Sequence, residues 1–85
     1  MIAFKVKEVI ATSLRRNVEE VRNEVNVFSD LCDGVFERAF LLHDLETTFS
    51  CELIEDEVDR WETVGDIVDT MCLMPEVRNY CFANQ

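Results

Sequence analysis

Few side chains in this sequence could do chemistry: cysteines at 32, 51, 72 and 81, one histidine at 43, and serines at 13, 29 and 50. The cysteines stand 19, 21 and 9 positions apart without a CxxC pair, so metal-ligand spacing is absent. A catalytic His43 would need a nucleophile and an orienting acid, and the sequence offers neither in a recognisable pattern. His43 is read as a solvent-facing residue. Cys32 precedes the strongest helical stretch, and a helix N-terminus favours a thiolate. Asp30 and Asp33 on either side oppose it, because negative neighbours disfavour the charged form. Cys32 is therefore either a reactive thiol or a small half-buried filler, and the flanking charge favours the filler. Cys51, Cys72 and Cys81 read as small hydrophobes. No paired carboxylates in an apolar setting and no glycine-rich phosphate loop occur, so the sequence is not read as an enzyme.

The elements that would position these residues are set by composition. Eighty-five residues with two glycines, one proline and 48% hydrophobic residues describe one small helical domain with one core. The formal net charge is −10, which repels nucleic acid and anionic membrane. Charge is concentrated as well: residues 30–70 hold thirteen acids and two bases, whereas residues 1–29 hold four acids and five bases. A basic protein surface or helix is the complementary partner. The start Met-Ile-Ala-Phe-Lys-Val-Lys-Glu lacks a signal-peptide core, and no run approaches the ~20 apolar residues of a membrane span. We expect a soluble intracellular protein, of cytoplasm or mitochondrial matrix, with reduced thiols.

Val6, Val9, Ile10 and Leu14 recur at helical spacing and predict an amphipathic helix over residues 3–15, its buried face extended by Ile2 and Phe4. Val18, Val21, Val25, Val27, Phe28 and Leu31 are too irregular for helix or strand and predict a long ordered loop pinned by apolar anchors. Asp33-Gly34 opens the second helix, with Asp33 as its cap. Leu41, Leu42, Leu45 and Phe49 form its buried stripe, Glu37, Arg38, Asp44, Thr47 and Thr48 face water, and the helix ends near Ser50. A short helical turn over residues 55–61 tucks Val58 and Trp61 inward. Thr63 caps a last bundle helix bearing Val64, Ile67, Val68 and Met71. Pro75 then starts a further short helix, packed by Tyr80 and Phe82.

The order Leu14, Val21, Asn23, Val27-Phe28, Asp30-Leu31, Leu45-Glu46-Thr47-Thr48-Phe49, Glu55-Asp56-Glu57 and Thr63-Val64 runs without insertion or deletion against a known pattern. Over residues 5–71 the sequence resembles the acyl carrier proteins of fatty-acid synthesis. The resemblance implies an all-α, four-helix bundle with a long first loop and a short third helix. The chain divides accordingly into a core, residues 3–72, and a C-terminal extension, residues 73–85, of one domain spanning residues 1–85.

The departure falls at the family's working residue. Carrier proteins read Asp-Leu-Gly-x-Asp-Ser-Leu and esterify phosphopantetheine to the serine hydroxyl; here Cys32 takes the glycine place, Val35 the serine place and Phe36 the leucine place. We therefore expect no phosphopantetheine and no other cofactor. The resemblance also implies that the second helix is the docking surface, with Glu37, Asp44 and Glu46 as an acidic ridge beside His43, joined by Glu55 and Asp56 of the third helix. Phe40 is either an aromatic anchor within that ridge or part of a wider core. The expected function is that of a structural or adaptor subunit docking a basic partner, as mitochondrial carriers dock small three-helix proteins of the LYR type. The alternatives are a working carrier of fatty-acid or polyketide synthesis, or a decoy competing with one.

Overall fold

The computed structural model describes residues 2–32 and 34–83, and helices account for its regular structure. Helix α1 is Ile2–Leu14, α2 is Val35–Phe49, α3 is Glu55–Val58, α4 is Val64–Cys72 and α5 is Pro75–Ala83. The four-helix layout with a long first loop and a one-turn third helix is present, and α5 packs beside it against α1, α4 and α2. Val6, Ile10 and Leu14 of α1 meet Leu41, Leu45 and Phe49 of α2 and Val64, Ile67 and Met71 of α4 in one buried cluster. Spacings of three and four residues place each set on one helix face. Leu42 is half-buried at the edge of the stripe, and Val58 and Trp61 are buried as expected.

Helix α1 stops at Leu14 because Arg15 turns into left-handed backbone, φ 57°, and Arg16 N–H donates to the Ala11 carbonyl at 2.9 Å. Phe4 departs from the expectation: it is exposed, lying about 120° round the helix from Ile10 at 100° per residue. Phe82 likewise faces outward. Val77 and Tyr80 hold α5 instead: Val77 is fully buried and the Tyr80 ring meets Phe49 edge-on at 5.1 Å.

The long loop has more order than its sequence suggests. A 3-10 turn at Val18–Glu20 and a π-helical turn at Val27–Leu31 use its backbone groups locally, and Val21, Val27 and Leu31 enter the core. Its middle is strapped to the head of α4: Val27 N–H donates to Glu62 O at 3.0 Å, Val64 N–H to Val25 O at 2.9 Å and Gly65 N–H to Asn23 O at 3.0 Å. Buried backbone groups must be paired, and this crossing supplies the partners that neither segment holds alone.

Two caps fix the bundle ends. Thr63 Oγ1 accepts from Asp66 N–H at 3.2 Å, while the Asp66 carboxylate accepts from Thr63 N–H at 3.0 Å and Glu62 N–H at 2.9 Å. At the head of α2 the capping position is Gly34, φ 149° and ψ −171°, a conformation that is nearly exclusive to glycine. The expected Asp33 cap lies outside the described residues.

These caps make three predictions. Thr63→Ala should lower unfolding free energy by about 1 kcal/mol, read by urea denaturation. The backbone hydrogen bonds from Thr63 and then Glu62 depress the Asp66 pKa. Its cap should therefore be complete above an ordinary aspartate pKa of about 4 and lost as pH falls through the lower folded value. Asp66→Asn should flatten that part of the stability profile. Gly34→Ala should cost about 1–3 kcal/mol from backbone strain alone, since space around it is open.

Candidate functional site: the head and outer face of the second helix

Burial of Leu41, Leu45 and Phe49 decides what α2 shows to its surroundings. At 100° per residue, Phe36 lies about 180° from Leu45 and Phe40 about 140°. Both rings project outward: Phe36 is 81% exposed and Phe40 61%. Val35, the first residue of the helix, is 81% exposed. His43 and Ala39 are exposed on the same face. The outer surface at the head of α2 is thus an apolar patch, with Phe40 as surface and not core. Phe36 was missed at the sequence level, although the signal was available: Phe36 and Phe40 are four apart and opposite the stripe that must be buried.

The predicted acids do not form one ridge. Glu37 and Asp44 are half-buried on the side of α2 toward α1, and Asp44 lines a shallow groove there with Lys5, Glu8 and Thr12. Glu46 lies on the opposite flank, about 180° round the helix axis from Glu37, with Arg38, Leu53 and Glu55. Its carboxylate accepts from Leu53 N–H at 2.8 Å and fixes the connection that follows Ser50, whose φ of 51° ends the helix. Glu55 and Asp56 are exposed on α3. The structure therefore gives an apolar face with acids on two separate flanks.

Arg38 was expected to face water. Its guanidinium instead lies 5.2 Å from the Phe28 ring centre and 3.4 Å from an Asp59 carboxylate oxygen, tying the loop to the end of α3. The exposed His43 ring has Nε2 at 3.5 Å from Thr47 Oγ1, and its carbonyl accepts from that hydroxyl at 2.7 Å. Cys32 is half-buried just before the α2 head, with its N–H donating to Val27 O at 2.9 Å. Burial, followed by Glu76 and Glu46, pushes the Cys51 thiol pKa up, and burial with Asp69 and Cys81 raises that of Cys72. Thiolate chemistry is disfavoured at both. Among the described residues no group of three or more histidine, cysteine or acidic side chains converges on a metal position. Among the described residues no helix is long and apolar enough to cross a membrane.

The chain matches no protein-family model. It is 35% identical over 63 residues to an acyl carrier protein of Wolinella succinogenes, a match that spans 74% of this chain and 83% of the relative. A second acyl carrier protein, from Clostridium acetobutylicum, is 30% identical over 69 residues, spanning 81% of this chain and 90% of the relative. The chain belongs to the acyl carrier protein family. Val35 is the first residue of α2 and offers only methyl groups there. Ser29 lies in the π-helical turn, Ser50 at the far end of α2 and Ser13 on α1, so none heads α2.

Separating surface from scaffold is straightforward. Phe36→Ala and Phe40→Ala should each change the unfolding free energy by less than about 0.5 kcal/mol, as for exposed positions. Glu46→Ala, which leaves Leu53 N–H without its acceptor, should cost about 1 kcal/mol. Thermal melts followed by circular dichroism distinguish the two classes.

Proposed function

We propose that this acyl-carrier-like module carries no phosphopantetheine and works as a structural or adaptor subunit, docking a protein partner through the outer face of α2. One observation carries the reading: the α2 head presents the methyls of Val35 beside the exposed rings of Phe36 and Phe40. A phosphodiester needs a hydroxyl at that point, and valine has none. An exposed aromatic pair is costly to leave in water and is the kind of feature that supplies binding energy at interface centres. The acids on either flank suit a partner whose apolar docking strip is bordered by lysines or arginines.

In this reading the module is not an enzyme, and its contribution is shape and surface. A conventional carrier secures its partner partly through the acyl chain on its arm. Without the arm, surface contact must supply the affinity. Phe36 and Phe40 replace that contribution by burying apolar area, roughly 1.5–3 kcal/mol for each ring that becomes fully covered.

The test is affinity capture of the tagged chain from its own source, with the recovered partner then titrated against variants. Phe36→Asp and Phe40→Asp should weaken that partner's binding by about tenfold or more while leaving the melting temperature unchanged. Lysine at Glu37 and Asp44 should weaken it less, and its effect should shrink at high salt. Binding that survives both aspartate variants would exclude the α2 face as the docking surface.

A further inference from the structure

A second concave surface lies away from the outer face of α2, between α3, the outer side of α4 and the start of α5. It is an open groove of about 580 Å³. Glu52, Glu57, Asp66, Asp69 and Glu76 line it, against the single cation Arg60. Its apolar lining comes from Ile54, 58% exposed, Leu73, 79% exposed, and Met74, with the edge of Trp61 beneath. Trp61 is held in place by donating from Nε1 to Thr70 Oγ1 at 2.9 Å. The groove is built partly by Leu73–Glu76, which lies beyond the stretch that follows the carrier pattern.

Charge and shape together narrow the occupant. Among the described residues Glu52, Glu57, Asp69 and Glu76 form no ion pair. Small anions and anionic lipid are repelled by this lining. A single metal ion does not fit either, because the carboxylates do not converge on one point. Spaced carboxylates around exposed aliphatic side chains match spaced cations around an apolar strip. Lysines or arginines three and four positions apart on a helix, about 5–6 Å between Cβ atoms, have that arrangement. We infer that this groove is a second docking site, which takes a basic amphipathic helix of a protein partner, its leucine-like side chains on Ile54 and Leu73 and its cations on the flanking carboxylates.

The site is independent of the α2 face, so one chain can hold two segments at once, whether of one partner or two. It also gives the C-terminal extension a role: the α4–α5 junction supplies the Leu73 wall and the Glu76 charge.

Trp61 is the chain's only tryptophan and sits under the groove, so its fluorescence is a built-in reporter. The probe is a synthetic amphipathic leucine–lysine helical peptide without tryptophan, titrated into the intact chain by fluorescence and by amide chemical shifts. We expect saturable binding with shifts concentrated on residues 52–76. Leu73→Asp and Asp69→Lys, both at exposed positions, should each weaken it about tenfold, while Phe40→Asp changes it less than twofold. Melting curves confirm that each variant is folded. Shifts centred on α2 and abolished by Phe40→Asp would overturn the inference while supporting the α2 docking surface. Absence of saturable binding, or binding indifferent to Leu73→Asp and Asp69→Lys, would overturn it as well.

Discussion

The surface chemistry of this protein depends on one burial: Leu41, Leu45 and Phe49 of α2 packed against Val6, Ile10 and Leu14 of α1. A helix has a single rotational setting once its stripe is in the core. That setting turns Phe36 and Phe40 outward, divides Glu37 and Asp44 from Glu46, and leaves Val35 at an exposed helix head. Rotation to bury the phenylalanines would expose the stripe, losing roughly 1.5–3 kcal/mol for each large side chain brought back to water. The exposed rings are therefore a consequence of the best-packed part of the molecule.

A second constraint holds the scaffold around α2. The loop before it crosses the head of α4, where Val25, Asn23 and Glu62 carbonyls meet the N–H groups of Val64, Gly65 and Val27. The adjacent Thr63–Asp66 capping box orders the same segment from the other side. Arg38, over Phe28 and against Asp59, links loop, α2 and α3. These contacts position the α2 head without involving Val35.

Much of the fold was legible because the apolar spacing of α1, α2 and α4 specifies one face each, and because Thr63, Ser50 and Pro75 mark helix ends by local chemistry. Less legible were features that depend on distant partners. The loop's π-helical turn and its strap to α4 are backbone pairings that side-chain pattern does not encode. Glu46 reads as a surface acid until the chain after Ser50 folds back to bring Leu53 N–H to it. Residue type misled at Phe4 and Phe82, whose hydrophobicity suggested burial while their angular positions turn them outward. Val35 at the start of α2 followed from the helix boundary that Asp33-Gly34 marks in sequence. The apolar face next to it required the rotational setting of α2.

A carrier bundle that works through its surface, without an arm, is the central claim. Intact-mass measurement of the protein purified from its own source addresses it most directly. The mass expected is that of the unmodified polypeptide, with a protein partner recovered alongside it. A mass increased by phosphopantetheine, or by an acyl group on Cys32, would contradict the claim and return the protein to the working carriers.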